Sequence, residues 1–492
     1  MGKLFNKIIN NFRAKFLFFI LIAQLYNLNI YSTDSILDIN VIEHINNLFE
    51  AGSNIKDTQD IPIIKSQTNK MSQQKKDWTL MIYIAADNDL RNFAIRNLKQ
   101  MASVGSSENI NVIVHLDIKL SGNNKVTKRY YIQKDKILHL NANDPKTQRM
   151  DSGNPETLIS FATWGVSEFP ATNYGLVCWD HGTGALDPKR GRIFKLADLF
   201  TFNSAINKVE VNRSVGFFDF LDTCMPEEKG ICWDDTTGNY LTTQDLDYAL
   251  KTICSKALNG KKLAFLGFDA CLMQMTEVAS VAKKYADIMI ASQEVILGTG
   301  WNYAEVLKPF LTKTLSPEDF VKNIISGYKT TYETITNDFT LSALKLKDFS
   351  LLEDNINHIS QLLIECLKKQ KNKSVKNTIT TSRSKLLCTH FDEPSYIDLH
   401  HLYKNLLASI KNFELINTVD TERLKIELTQ ALKVGCKIIE EVTIENTVGK
   451  NLSKARGISI YFPTNRIYFS YRDLEFCKNN DWIVFLTQYL NV

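Results

Sequence analysis

Short apolar runs alternate with segments of helical spacing over the first two thirds of the chain. The apolar runs lie at residues 78–85, 110–116, 174–179 and 263–268, with a weaker one at 129–133. Runs of this length that end at polar residues or glycine predict strands buried on both faces of a sheet. Helices are predicted at 91–101 and from Pro155, which suits a first helical turn. The alternation predicts an α/β protein with a mainly parallel sheet between two helical layers.

After about residue 340 the pattern becomes mostly helical and more highly charged. Helical spacing covers residues 351–369, 421–443 and 482–490, and a strand-like segment interrupts it at 457–463. We therefore expect an α/β domain over 76–340 and a mostly helical C-terminal subdomain over 341–492. Residues 33–75 are mostly polar and are interpreted as a linker or pro-segment, with one short amphipathic helix at 36–49.

Composition supports a folded, soluble chain and excludes one class of partner. The chain has 492 residues, of which 44% are hydrophobic and 23% charged. This length exceeds the roughly 250 to 300 residues at which single cores stop growing. The formal charge is +4, and four basic residues (Lys3, Lys7, Arg13 and Lys15) precede the first acidic residue. The rest of the chain is therefore balanced in charge, and we expect no nucleic-acid partner.

These basic residues lead into an apolar run at 16–23, followed by a more polar stretch that ends near Ser32. A positive segment, a short apolar segment and a small residue at its end predict a signal peptide over 1–32. The run is shorter than the roughly 20 apolar residues that a membrane-spanning helix needs. We expect export to a secreted, periplasmic or cell-surface location, without a stable membrane span after signal removal. A retained anchor or a buried helix is the alternative.

Two predicted strands end in residues that suit nucleophilic catalysis. The run at 174–179 leads into Asp180, His181 and Gly182, and the run at 263–268 leads into Asp269, Ala270 and Cys271. Ligand sites of open parallel sheets lie at the carboxyl ends of the strands. A thiolate there attacks a carbonyl group while an imidazole moves the protons. Taken singly, such a histidine is more often structural and such a cysteine inert. Together they predict a catalytic pair.

These segments resemble the clostripain family of cysteine peptidases, which belongs with caspases, legumains and gingipains. The hallmarks are apolar blocks before His181-Gly182 and before Asp269-Ala270-Cys271. Four further stretches are similar to that family: 78–90, 233–241, 298–303 and 457–463. The resemblance covers roughly residues 76 to 490 and implies a caspase-like α/β/α sandwich. It also implies a cysteine endopeptidase that acts on protein or peptide substrates.

The resemblance also implies residue roles. Cys271 is the nucleophile and His181 the general acid and base, while the backbone N–H groups of Gly182 and Cys271 form the oxyanion hole. Asp269 lines the S1 pocket, where its carboxylate accepts a basic P1 side chain; a turn cap is the structural alternative. The family often carries an acidic residue where this chain has Thr299. Loss of that carboxylate weakens basic P1 binding, by about 1.5 to 3 kcal/mol. A smaller or polar P1 residue is then the alternative.

The stretch from 185 to 230 separates the two catalytic segments. It contains basic residues soon after the histidine, namely Lys189, Arg190, Arg192 and Lys195. Resembling peptidases mature by cleavage between these segments, and exposed loops are where nicking concentrates. We therefore predict self-cleavage after one of the four residues, the alternative being an uncut surface insertion.

No cofactor is expected to be required, although calcium is considered. Asp234 and Asp235 offer the hard oxygen ligands that calcium prefers, but two carboxylates fall short of the six to eight ligands it takes. The sequence lacks GxSxG, P-loop, HExxH and dinucleotide-binding motifs, and its nine cysteines form no CxxC pair. No metal ligand set is therefore predicted. A catalytically silent member of the same fold, acting as a secreted binding module, remains the rival hypothesis.

Overall fold

The computed structural model describes residues 62–65, 74–121, 124–186, 199–213, 230–369, 372–415 and 418–492. The predicted signal peptide and the predicted helix at 36–49 lie outside the described residues. The strands are β1 (Ile63–Lys65), β2 (Lys76–Ala86), β3 (Ile110–Ser121), β4 (Asn124–Gln133), β5 (Lys136–His139), β6 (Ala171–Trp179), β7 (Phe200–Asn203), β8 (Lys208–Val211), β9 (Ile231–Asp234), β10 (Asn239–Leu241), β11 (Phe265–Asp269), β12 (Ile288–Ala291), β13 (Thr340–Lys345), β14 (Tyr396–Asp398), β15 (Thr443–Val448) and β16 (Ser459–Tyr461).

The α-helices are α1 (Arg91–Val104), α2 (Pro155–Glu168), α3 (Thr243–Thr252), α4 (Thr276–Ala282), α5 (Tyr303–Leu307), α6 (Pro317–Ile335), α7 (Phe349–Lys368), α8 (Asn372–Ser382), α9 (Leu399–Ser409), α10 (Val419–Val442), α11 (Glu475–Asn479) and α12 (Trp482–Asn491). Helix α2 begins as predicted, since Asn154 Oδ1 accepts a hydrogen bond from Glu156 N ahead of Pro155. A π-helical turn at Ile253–Ala257 follows α3.

Among the described residues, ten strands form one mixed sheet in the order β1-β5-β4-β3-β2-β6-β11-β12-β13-β15. Its centre, from β3 through β12, is parallel. Helix α5 contacts both α1 and α6. Helix α3 contacts both α2 and α4, and α4 also contacts α7. The predicted α/β class, with helices packed on a mainly parallel sheet, is therefore confirmed.

The core forms where the apolar runs of the sequence meet. Buried Trp78 on β2 packs against Phe265 of the central sheet and against Phe310 and Phe320, with its ring centroid 4.9 Å from that of Phe320. Its indole N–H donates to Leu315 O at 2.8 Å, so the polar atom is satisfied. Trp78 and Phe265 lie near the amino-terminal ends of β2 and β11, so this cluster is remote from the carboxyl ends of the same strands.

The C-terminal region is mostly helical, as predicted, but it also adds β15 antiparallel to β13 at one edge of the main sheet. A separate short pair joins β14 to β16, of which only β16 lies in the segment that the sequence predicted as strand-like, 457–463. The division at residue 340 stays a prediction. In the part of the chain that the structure describes, no helix has the length and apolar character needed to cross a bilayer.

Candidate active site

The register of two central strands places His181 and Cys271 at the same edge of the sheet. Strands β6 and β11 are parallel neighbours, and Trp179 pairs with Asp269. His181 and Cys271 each lie two residues beyond this pair, so the chain leaves both strands at the same level. Parallel strands bring their carboxyl ends together in this way. The structure thus brings the two predicted catalytic residues to adjoining positions.

Gly182 allows the two segments to approach closely. A Cβ atom at position 182 would lie 2.6 Å from Cys271 O and 3.1 Å from Ala270 Cβ. Any side chain there would push the segment after His181 away from the segment that carries Cys271. Gly182 also pairs with Ile231 in an isolated antiparallel bridge. The two residues whose amides are the predicted oxyanion donors, Gly182 and Cys271, therefore lie next to each other.

His181 is oriented by a carboxylate that sequence reasoning missed. Its Nε2 atom lies 2.8 Å from Asp89 Oδ1, and its own side chain is 2% exposed. Burial alone would lower the pKa of His181, but the charges of Asp89, Asp180 and Asp235 outweigh it and raise that pKa. Asp89 follows β2, the neighbour of β6 on the side away from β11. Three strand ends therefore supply the carboxylate, imidazole and thiol.

Asp180 anchors the segments that surround the imidazole. Its carboxylate accepts hydrogen bonds from the backbone N–H of Trp233 and from Asn88 Nδ2, the latter at 2.7 Å. Burial raises the pKa of Asp180 to about 7, although the charge of His181 and these hydrogen bonds act against it. The Trp233 ring lies 5.5 Å from the His181 ring, centroid to centroid. Asp180 thus holds Asn88, the neighbour of Asp89, and Trp233 in place around His181.

Cys271 has a buried thiol in this structure. The residue is 4% exposed, and its Sγ atom accepts a hydrogen bond from Ile296 N at 3.2 Å. Burial raises the pKa of Cys271 to about 12; the Ile296 N–H lowers it, and the carboxylates of Asp392 and Glu294 raise it further. The thiol is therefore protonated near neutral pH in this state. A base is needed to generate the thiolate.

Backbone strain follows immediately after the thiol. Leu272 has a φ of +62°, and its N–H donates to Glu294 O at 3.2 Å. A branched side chain in the left-handed region costs about 1 to 3 kcal/mol, and such outliers cluster at functional sites. The turn redirects the chain directly behind Cys271.

Asp269 and Thr299, the predicted S1 residues, lie in one buried cluster. Both Asp269 carboxylate oxygens are within 3.1 Å of Trp301 N, and Tyr303 OH donates to one of them at 3.0 Å. Burial raises the pKa of Asp269 to about 7, although these two donors lower it. Thr299 Oγ1 lies 3.4 Å from Tyr332 OH. Where the family often has a second acidic residue, this chain therefore has the hydroxyl groups of Thr299 and Tyr332.

An ion cluster forms around the buried side chain of Glu294, and its cation, Arg213, has a side chain that is 41% exposed. Arg213 Nη2 is 2.7 Å from Glu294 Oε2 and 3.4 Å from Asp338 Oδ1. The Glu294 side chain is fully buried, and its charge with that of Asp338 raises the pKa of Arg213, although burial opposes this. Arg213 belongs to the stretch between the two catalytic segments, and Glu294 accepts a hydrogen bond from the residue after Cys271. The ion pair therefore connects that stretch to the surroundings of the nucleophile. The four predicted self-cleavage residues lie outside the described residues.

Asp234, one of the two residues considered for calcium, is paired internally. Its carboxylate contacts the ammonium group of Lys125, and the residue is 1% exposed. A calcium ion there would have to displace a buried cation, so Asp234 as arranged does not fit the metal. Within the described ranges, no group of three or more histidine, cysteine or acidic side chains forms a metal cage. A calcium requirement stays an untested prediction.

Known proteins of one family match most of the chain. A model of the clostripain family matches residues 82–208 and 219–489. Clostripain from Hathewaya histolytica is 26% identical in an alignment of 276 positions that covers 52% of this chain and 45% of that protein. The match thus spans less than half of that relative's length.

Two solved structures are similar in fold. One is a secreted C11 cysteine protease from Bacteroides thetaiotaomicron bound to an irreversible peptide inhibitor, with 20% identity and a TM-score of 0.51 over 83% of this chain and 99% of that one. The other is an inactive zymogen C11 protease from Parabacteroides distasonis, with 19% identity and the same TM-score and coverage. At these identities the likeness establishes the fold, and it confirms the predicted architecture.

Proposed function

Because this chain belongs to the clostripain family of cysteine peptidases, we propose that it is an exported endopeptidase with Cys271 as nucleophile and His181 as general acid and base. The observation that carries the proposal is the register of β6 and β11, which puts both residues two positions past the paired Trp179 and Asp269. The contact of His181 with Asp89 supports it, since a catalytic base needs a fixed orientation.

The reaction proceeds through a thioester. His181 takes the thiol proton of Cys271, and the thiolate attacks the carbonyl carbon of the scissile bond. The oxyanion that forms is stabilised by the amides of Gly182 and Cys271. The imidazolium then gives its proton to the leaving amine as the C–N bond breaks. Water, deprotonated by His181, then attacks the thioester carbon; the C–S bond breaks, the carboxylic acid is released, and His181 returns the proton to the Cys271 sulfur. Since Asp89 holds Nε2, proton exchange is assigned to Nδ1.

Export is part of the proposal. It is supported by the basic and apolar pattern of residues 1–32, and the Bacteroides thetaiotaomicron relative is described as secreted. Substrates are peptides or proteins that reach the site outside the cytoplasm.

The proposal is tested by hydrolysis of a reporter peptide library varied at P1, using the chain from residue 33 onward. Turnover that is blocked by a thiol-directed peptide probe attached to Cys271 supports the peptidase. A folded, fully processed protein with neither turnover nor labelling supports the binding-module hypothesis, which the buried thiol favours. The same assay with and without added calcium decides whether the ion is required.

The same library tests Asp269 as the acceptor of a basic P1 side chain. We expect Asp269→Asn to lower kcat/KM for arginine or lysine at P1 by about 10- to 100-fold, the value of one charged hydrogen bond. Peptides with an uncharged P1 residue should lose much less. The control is Asp348→Asn, an exposed site before α7. An equal loss for every P1 residue, with an unchanged melting temperature, would contradict the specificity role.

Self-processing is expected in the stretch between the catalytic segments. Protein with intact Cys271 should appear as two chains on a denaturing gel, and Cys271→Ala protein as one. Replacing Lys189, Arg190, Arg192 and Lys195 by glutamine together should also give one chain. N-terminal sequencing of the second fragment then identifies the cleaved bond.

Lys208→Gln is the matched control for this experiment. Lys208 is a basic residue in the described part of the same stretch, where its Nζ donates to Asn337 Oδ1 at 2.9 Å. Two chains from this variant are expected. Single bands of the same size from wild type and Cys271→Ala would refute self-processing.

A further inference from the structure

One buried ammonium group joins four elements near the candidate active site. Lys125 on β4 has a side chain that is 2% exposed, and its Nζ lies 2.8 Å from Asp117 Oδ2 and 3.6 Å from Asp87 Oδ2. It also contacts the carboxylate of Asp234 on β9. All three carboxylate side chains are fully buried. We call these four residues the Lys125 cluster.

The carboxylates of the cluster are also held by neutral donors. Ser152 Oγ donates to Asp117 at 2.6 Å, and Thr127 Oγ1 donates to it at 3.0 Å. Thr236 N donates to Asp87 Oδ2 at 3.1 Å. Three carboxylates still face one cation. Buried charge of this kind is tolerated only when it is paired and hydrogen-bonded, so the ammonium is essential to the arrangement.

The cluster leads directly to the groups that contact the imidazole. Asp87 is followed by Asn88, which donates to Asp180, and then by Asp89, which contacts His181. Asp87 O also accepts a hydrogen bond from Asp235 N at 3.0 Å, which joins the end of β2 to the end of β9.

A second connection between the Lys125 cluster and His181 runs through β9, which carries Asp234. We call it the β9 branch. Trp233 precedes Asp234, and its N–H donates to the Asp180 carboxylate. Its ring faces His181. The two segments that flank His181 therefore each contain a carboxylate, Asp87 or Asp234, that contacts the ammonium group of Lys125.

We propose that Lys125 is a positioning residue for His181, a role that rests on the proposed peptidase function. By drawing Asp87 and Asp234 together, its ammonium group holds Asp89 against the imidazole and Trp233 beside it. The side chain acts through its positive charge, as a tethered cation within the fold, and it does not touch substrate. Arginine at this position keeps the charge, and methionine keeps the approximate length without it.

The first test measures the titration of His181 directly, without catalysis. Protein carrying Cys271→Ala is labelled with [¹³C]histidine, and the Cε1–H signal of His181 is assigned by its loss in His181→Gln. The charged groups acting on this ring are Asp89, Asp180 and Asp235. We expect Lys125→Met to move the titration to lower pH, in the direction of Asp89→Asn. The shift in the double variant should not exceed that of Asp89→Asn alone. Lys125→Arg should titrate close to wild type.

The second test uses the protein with intact Cys271. Lys125→Met should lower kcat by about 100-fold, the scale of a misplaced catalytic group, with KM changed little. Lys125→Arg should recover most of the rate. Lys283→Met is the control, because it breaks the Lys283–Glu353 ion pair between α4 and α7. That variant should leave kcat and the His181 titration unchanged.

The outcomes separate the two proposals. A lower melting temperature for Lys125→Met, with an unchanged His181 titration, would overturn the positioning role. Absence of turnover in wild type would instead contradict the peptidase function, while the titration still decides the role of Lys125. If Lys125→Met does not fold, Asp234→Asn loosens only the β9 branch. A smaller shift of the titration in the same direction is then expected, and no shift overturns the proposal.

Discussion

Replacing Cys271 by alanine is expected to abolish peptide hydrolysis, with kcat/KM falling about 10⁴-fold or more. The variant loses the atom that forms the thioester, and the remaining oxyanion donors and His181 are left with water as the nucleophile. Initial rates on the preferred reporter peptide measure the effect. Alanine removes one sulfur atom from a buried site, so the melting temperature should stay close to that of wild type.

Cys254→Ala is the matched control. Cys254 is also buried, and its Sγ donates to Tyr285 O at 3.4 Å, in the π-helical turn after α3. It should keep near wild-type activity. Activity that survives in Cys271→Ala and disappears in Cys254→Ala would assign the nucleophile elsewhere. Activity that survives in both would exclude a cysteine mechanism at these sites.

The buried state of Cys271 has a consequence for activation. A thiol that is 4% exposed and hydrogen-bonded to Ile296 N must become accessible before a peptide carbonyl reaches it. Arg213 ties the stretch between the catalytic segments to Glu294, whose backbone carbonyl accepts from the residue after Cys271. Cleavage after one of the four predicted residues, which all precede Arg213, would leave Arg213 joined to the chain only on its C-terminal side. Self-processing and exposure of the thiol are therefore expected to be linked.

Much of the sheet could be predicted from the sequence because its central strands are buried on both faces. The runs at 78–85 and 174–179 are almost purely apolar, and they became the interior of β2 and β6. Strand β15 could not be predicted, because it lies at the edge of the sheet, where its side chains are half-exposed and apolar and polar residues do not alternate clearly. Its place beside β13 depends on pairing across more than 90 positions of sequence. Local periodicity carries no information about such a partner.

Some residues of the candidate site could likewise be predicted from the sequence, and others could not. His181 and Cys271 could be found because each follows an apolar run and each has a residue type suited to the chemistry. Asp89 also follows such a run, but in sequence it is equally suited to a turn. Lys125 gave no signal, since a lysine in the mostly polar stretch 121–128 predicts an exposed side chain. Only the order of strands reveals that β4, through β3 and β2, leads to His181.

Asp89→Asn is expected to lower kcat by about 100-fold and to move the acid limb of the pH–rate profile to lower pH. Asparagine can still accept a hydrogen bond from Nε2, but it loses the charge that stabilises the imidazolium. In wild type, burial lowers the pKa of His181 and the charge of Asp89 is the largest influence that raises it. Without that charge the pKa falls, so His181 is neutral, and able to accept the thiol proton, at lower pH. The rate at the plateau nevertheless falls, because the imidazolium formed during the reaction has lost its counter-charge. The limb and the plateau are both read from kcat/KM and kcat measured between pH 4 and pH 9.

Two further variants make this result specific to the carboxylate of Asp89. Asp89→Glu keeps the charge and should recover part of the rate and the wild-type position of the limb. Asp77→Asn, at the exposed start of the same strand, should change neither. The Asp89 side chain is 26% exposed, so solvent weakens its effect compared with a buried carboxylate. A plateau reduced in Asp89→Asn with the limb unmoved would mean that the residue supports the loop and does not act on His181. An unchanged profile would remove Asp89 from the mechanism and leave a dyad of His181 and Cys271.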